Sequence, residues 1–174
     1  GAPGPYADPM SNGPPPTADV TTLRTVGHGT LAVEAFVSLL NEAAVERLVD
    51  VRSFPGSRHN PQFGREEMER WLPDSGHGYA WMRELGERRR PISGSKHLAL
   101  RNHAFRAYAD YMETEPFRAG VEDLLGLAKG DSLAVMCSES VWWRCHRRLL
   151  ADYLVLVHGA DVIHMMHDGR LTPH

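Results

Sequence analysis

Short apolar runs alternate with stretches of helical period along this chain, and no other feature restricts its fold as strongly. Leu23 to Gly27, Glu46 to Val51, Tyr79 to Met82, Ser132 to Cys137 and Asp161 to Met165 read as strands. Between the first two, Val33, Phe36, Val37 and Leu40 form an apolar stripe on a helix from Leu31 to Ala44, behind Thr30 as a cap. Arg65 to Leu72, His103 to Met112, Pro116 to Ala128 and Cys145 to Val157 read as further helices, the last stopped by Gly159. Alternation of this kind implies βαβ crossovers and a parallel sheet covered on both faces. The expected fold is therefore α/β: a single domain over residues 23–174, with a mostly parallel sheet of about five strands flanked by helices. The tail HDGRLTPH is expected to add a turn and a short edge strand.

Two stretches fall outside the alternation. Residues 1–22 are rich in Pro, Gly and Ala and lack apolar period, so they are expected to be a disordered lead, with the part before Met10 an expression remnant. Residues 83–101 are polar, carry Arg88-Arg89-Arg90-Pro91, and read as a long loop of the kind that is often functional.

Composition narrows the class. With 42% hydrophobic and 24% charged residues, the chain is neither wholly disordered nor collagen-like. No apolar run is long enough for a membrane span, and no signal-peptide pattern opens the sequence. Two cysteines in a chain of this size point to a reducing, cytoplasmic compartment. The net charge of −3 argues against a uniformly basic protein, so anion binding has to come from local clusters. All of the 19 basic residues except Lys96 and Lys129 are arginine, whose planar fork suits phosphate and carboxylate. A genome that favours arginine codons would give the same bias.

In a parallel sheet, ligands bind beyond the carboxyl ends of the strands. The loops at those ends carry His28, Arg52, Arg58, His59, Arg83, Cys137, Glu139, Arg144, Cys145 and His146, with Asp50 at a strand end beside them. The segment LAVMCSESVWWRCHRRL is the most informative. Cys137 closes an apolar strand, and a loop leads to a helix beginning near Cys145-His146-Arg147. Helix-start amides with Arg144, Arg147 and Arg148 form a field that lowers a thiol pKa. Cys137 could equally be a small buried hydrophobe. Strand, cysteine, loop, arginine, helix is also the layout of rhodaneses and cysteine-dependent phosphatases, but the spacing differs. Their arginine positions fall on Trp142 and Trp143, and the first arginine, Arg144, comes one residue late. Trp142 beside arginines could stack on a nucleobase, or pack beneath the loop.

The run DVRSFPGSRHNPQFG places Asp50, Arg52, Arg58 and His59 in a loop stiffened by Pro55 and Pro61. Asp50 and Arg52 make either a structural ion pair or an arginine oriented toward a ligand. Cys137, Cys145, His146, His28 and His59 could converge on a metal, but no zinc-type spacing is present. Neither a P-loop nor a dinucleotide fingerprint occurs. No metal and no cofactor is assigned.

TVGHGT at 25–30, VDVRSFPGSRHNPQF at 49–63, ELG at 84–86, FRAYADYM at 105–112 and MCSE…WRCHR at 136–147 together resemble the domain of unknown function 488 family. The resemblance spans about residues 23–165. It implies an intracellular α/β protein without a settled activity. It also implies a site built from Asp50, Arg52, Cys137, Glu139, Cys145, His146 and Arg147. Members often carry a second glycine after the Glu-Leu-Gly; here Glu87 follows Gly86, so that turn is expected to differ.

The leading functional expectation is a protein acting on, or binding, a phosphate-bearing substrate, either nucleic acid or a nucleotide. Arg52, Arg58, Arg144 and Arg147 would hold anions, Glu139 would be the acid or base, and His28 or His146 would carry protons. The alternative is sulfur transfer or thiol redox chemistry with Cys137 as nucleophile and Cys145 resolving. A third reading is a non-catalytic binding module that could form a homodimer.

Overall fold

Strands β1 (Thr22–Gly27), β2 (Arg47–Asp50), β3 (Gly78–Trp81), β4 (Leu133–Cys137), β5 (Asp161–Met165) and β6 (Leu171–Pro173) form one sheet in the order β3-β2-β4-β1-β5-β6. This is a computed structural model, and it describes residues 19–174. The expected lead lies outside the described residues except for its last few positions, where β1 already begins. The five strands foreseen from the sequence are parallel. The sheet has six, because the tail returns as β6, antiparallel to β5.

Helices cover both faces. Helices α1 (Val33–Glu42) and α2 (Arg65–Asp74) lie on one face, where Phe36, Leu40, Met68 and Leu72 pack against Val26, Leu48, Ala134 and Met136. Helices α3 (His103–Tyr111), α4 (Glu115–Gly130) and α5 (Arg147–His158) lie on the other, with Tyr108, Phe117, Val121 and Leu150 against Leu23, Val49, Leu133 and Val135. Successive β4 residues thus alternate between two cores, so all five are buried and the strand reads as one apolar run.

Thr30 does not cap α1. The cap position is Ala32, with no side-chain hydrogen bond. Gly29, at φ +50°, and the Leu31 amide bonded to the His28 carbonyl turn the chain first, so the helix begins two residues after the expected start at Leu31.

The topology places a crevice. β1 and β4 are neighbours, with Gly27 opposite Cys137. From β1 the chain passes to α1 on one face, whereas from β4 it passes to α5 on the other. Adjacent strands that leave to opposite faces define a switch point, where the loops separate and open a cleft. Gly27 permits this crossing: a Cβ there would lie 1.7 Å from the Glu139 carbonyl oxygen.

Residues 83–101 are irregular apart from a 3-10 turn, Arg83–Leu85. Their inner end is anchored on Ser53. The Ser53 amide donates to Glu87 Oε2 at 2.8 Å, and the Arg88 amide donates to Ser53 Oγ at 2.8 Å. A Cβ on Gly86 would lie 2.5 Å from Ser53 Oγ. Glu87, where a second glycine was expected, therefore supplies the carboxylate that caps a buried amide.

Candidate functional site

A cleft of about 790 Å³ opens at the switch point. Its floor is Cys137, Cys145 and His146. The loop after β1 contributes His28, and the loop after β4 contributes Glu139 and Arg144. Arg88 and Arg89 from the long irregular segment form part of the wall.

Cys137 and Cys145 are both free, and their sulfurs lie 2.9 Å apart. A single guanidinium serves both. Arg147 Nε donates to Cys137 Sγ at 3.0 Å and to Cys145 Sγ at 3.4 Å, and the Arg147 amide, at the start of α5, also donates to Cys145 Sγ at 3.4 Å. Arg147 is only 1% exposed and its remaining nitrogens are committed, Nη1 to Thr25 Oγ1 at 3.0 Å and Nη2 to the Glu139 carbonyl at 2.7 Å. It is therefore unavailable to a substrate anion, and its charge acts on sulfur.

The two thiols differ. Burial pushes the Cys137 thiol well up, and the hydrogen bond it shares with Cys145 pushes the same way. Burial opposes ionisation of Cys145 as well. The hydrogen bond from Cys137, the adjacent His146 and the Arg147 charge overcome it and bring Cys145 down to about 4. The directions of the two shifts favour ionisation of Cys145, the more exposed sulfur at the helix start, over Cys137.

A directed chain of hydrogen bonds leads away from Arg147. Its Nη1 donates to Thr25 Oγ1, which donates to His164 Nδ1 at 2.6 Å. His164 Nε2 donates to His174 Nδ1 at 2.9 Å, and His174 Nε2 donates to Asp152 Oδ1 at 2.6 Å. These tautomers follow from the guanidinium at one end, which only donates, and the carboxylate at the other, which only accepts. Burial lowers His164 to about 3, so its imidazole is neutral as the chain requires. Trp142 stacks on His164, with ring centroids 4.3 Å apart. Its face is thus occupied by protein, and Trp143 is the exposed tryptophan.

Asp50 and Arg52 form a second buried system. Arg52, 2% exposed, donates from Nε to Asp50 Oδ1 at 2.8 Å and from Nη2 to Asp50 Oδ2 at 2.7 Å and to the Phe63 carbonyl at 2.8 Å. Tyr79 Oη donates to Asp50 Oδ2 at 2.6 Å. Neither Asp50 nor Arg52 lines the cleft, so the structural ion pair is the reading that the geometry matches. His28 completes this system: Nε2 accepts from Arg52 Nη1 at 3.3 Å and Nδ1 donates to the Gly29 carbonyl at 2.8 Å. Burial lowers His28 to about 4, so both ring nitrogens are engaged in a neutral ring.

The other expected residues lie as follows. Glu139 is half-buried in the cleft wall, with its carboxylate in no hydrogen bond among the described residues. His146 donates from Nε2 to the Val51 carbonyl at 2.9 Å, while its Nδ1 is buried without a partner. Arg144 is exposed in the cleft, whereas Arg58 and His59 are exposed beside the lining residues Ser57 and Asn60. Arg88, Arg89 and Glu87 were not foreseen as site residues. The triple-arginine run was a visible signal, but nothing in the sequence folds that loop onto the cleft. Arg89 is held by the Gly86 and Arg83 carbonyls and lies over Tyr111, which leaves Arg88 and Arg144 as the exposed cations of the cleft.

Fold and site define an α/β protein with a dithiol cleft at the sheet's switch point. The family described as domain of unknown function DUF488 matches residues 32–154, and the chain belongs to that family. No curated protein and no solved structure matches it. Among the described residues, no helix is long and apolar enough to cross a membrane.

Proposed function

We propose that this protein is a dithiol enzyme, with Cys145 as nucleophile and Cys137 as resolving thiol, acting on an anionic substrate that carries an electrophilic sulfur. The observation that supports it is the sulfur pair, 2.9 Å apart, sharing the buried Arg147 guanidinium. The Cys145 thiolate attacks one sulfur of a substrate disulfide and expels the other half as a thiolate. Cys137 then gives up its proton and attacks the Cys145 sulfur, and the remaining half leaves as a thiolate that takes up a proton. Two electrons pass to the substrate, and Cys137 and Cys145 end as a disulfide. Arg88 and Arg144 hold the substrate's charge.

A small aromatic disulfide tests this at mildly acidic pH. Cys145→Ser should abolish fast thiolate release. Cys137→Ser should retain it and trap a mixed disulfide visible in the intact mass. Equal reactivity of the two variants, or a wild-type rate no faster than free cysteine, would remove the proposal.

A second reading is supported by Glu139, whose unpaired carboxylate shares the cleft with Arg88 and Arg144. Here Glu139 is the acid or base on a phosphate-bearing substrate, either a nucleotide or nucleic acid, and the thiols only pack. It requires Glu139→Gln to cost on the order of 10²-fold in turnover and Cys145→Ser to cost little. It also requires binding that weakens steeply with salt.

A further inference from the structure

On the far side of the long loop, away from the thiols, three side chains meet without satisfying one another. His97 Nε2 stands 3.8 Å from Asp110 Oδ1 and 3.7 Å from Glu113 Oε2, beyond hydrogen-bond distance of both. It is buried and has no partner among the described residues. Asp110 has a side chain only 5% exposed, and its Oδ2 is likewise buried without a partner. A buried imidazole nitrogen and a buried carboxylate oxygen, both unpartnered and in adjoining side chains, make an arrangement that folded chains avoid unless something else completes it.

We propose that His97, Asp110 and Glu113 form a binding site for a divalent transition metal of the zinc class. One ligand atom from each residue lies within 4.8 Å of the others. Two ligands at about 2.0–2.1 Å from a tetrahedral zinc are about 3.4 Å apart, so the imidazole needs to approach each carboxylate by only a few tenths of an ångström from 3.8 and 3.7 Å. One imidazole and two carboxylates give a neutral set around a divalent ion, with the fourth position left to water. Nitrogen among the ligands favours zinc over magnesium or calcium, which prefer oxygen.

The surroundings are those of a built site. Ser95 Oγ donates to Asp110 Oδ1 at 2.9 Å and accepts from the His97 amide at 3.2 Å, so one serine orients two ligands. Lys96 Nζ lies 3.2 Å from Glu113 Oε1, leaving Oε2 to face His97. Asp110 sits at the end of α3 and Glu113 just beyond it, whereas His97 comes from the irregular segment 83–101. A bound ion would therefore fasten that segment to α3. The same segment supplies Arg88 and Arg89 to the cleft wall, so the metal would set the position of the cleft's cations from outside the reacting site.

The test is zinc titration of the full chain by calorimetry in a Cys137→Ser/Cys145→Ser background, because free thiols also bind zinc. One ion per chain is expected, with no saturable binding of magnesium. Asp110→Asn keeps the shape and should weaken binding at least tenfold. Glu113→Gln, at an exposed side chain, should do the same in a protein whose circular dichroism is unchanged. Zinc should also slow tryptic cleavage at Arg88 to Lys96, and lose that effect in both variants. Binding only when the cysteines are present would overturn the site, and so would equal affinity in the variants. No saturable zinc binding at all would overturn it as well.

Discussion

Two arginines, Arg52 and Arg147, are each almost wholly buried, and each is held close to the carboxyl end of a parallel strand. Their partners make them different. Arg52 meets the carboxylate of Asp50, and the pair is closed by Tyr79, the Phe63 carbonyl and neutral His28. Arg147 meets two thiols, which are charged only if one gives up a proton. A buried guanidinium is a permanent cation. Opposite a carboxylate it makes a rigid, saturated joint; opposite a dithiol it adds to the Cys137 hydrogen bond and His146 in favouring a thiolate. The same residue type at the same level of the sheet thus serves as a structural element in one place and as a source of nucleophilicity in the other.

The comparison breaks most visibly if the carboxylate is neutralised. Asp50→Asn leaves Arg52 buried without its counter-charge and should cost about 3–5 kcal/mol of stability, read from urea denaturation. A loss below about 1 kcal/mol would mean that the pair is not the closed joint described. Arg147→Met should act on chemistry instead. Without the guanidinium, Cys145 returns toward the ordinary thiol range, and its alkylation rate at mildly acidic pH should fall on the order of 10²-fold or more. An unchanged rate–pH profile would show that Arg147 does not hold the thiolate.

The dependence of stability on pH sharpens the contrast. Cys145 is lowered to about 4 in the folded chain from an ordinary 9.0. Between those values the unfolded chain holds a proton that the folded chain lacks, so stability rises with pH. The contribution is complete above the unfolded value and is lost as pH falls through about 4. His28 and His164, lowered to about 4 and about 3 from 6.5, have the same sign, but their slope begins only below the ordinary histidine range. Cys145→Ser should therefore flatten the stability profile above neutrality and keep the acid limb, as measured by denaturation midpoints across pH. The smallest effect is expected from Asp152→Asn at the far end of the hydrogen-bonded chain. It should raise the Cys145 alkylation midpoint by about half a unit while leaving the fold's stability within about 1 kcal/mol. A shift as large as that of Arg147→Met would make Asp152 a principal source of the thiolate.

Much of the fold was legible because its signals are local. The β4 run, the Val33–Leu40 stripe, the Gly159 stop and the switch to a short tail strand each lie within one segment, and the parallel α/β class follows from their alternation. The helix start at Thr30 was misread because the turn through Gly29 delays α1, and that turn depends on the neighbouring β4 loop. The site was legible as a set of loops. Cys137, Cys145, Glu139, His146 and Arg144 do share a cleft, since strand ends in a parallel sheet are brought to one edge.

What the sequence by itself determined is the order of strands and helices, and with it the edge at which the chemistry-bearing residues gather. Periodicity and turn residues encode those features within a few neighbours of each position. What only the tertiary structure decided is the division of labour there. Arg52 and Arg147 look alike in sequence, and Cys137 and Cys145 are both cysteines beside a loop. Which arginine meets a carboxylate, which sulfur ionises, that Arg88 reaches the cleft and that His97 meets Asp110 all depend on contacts between distant segments. Charge and desolvation act over a few ångströms of space, and a linear pattern carries no measure of that distance.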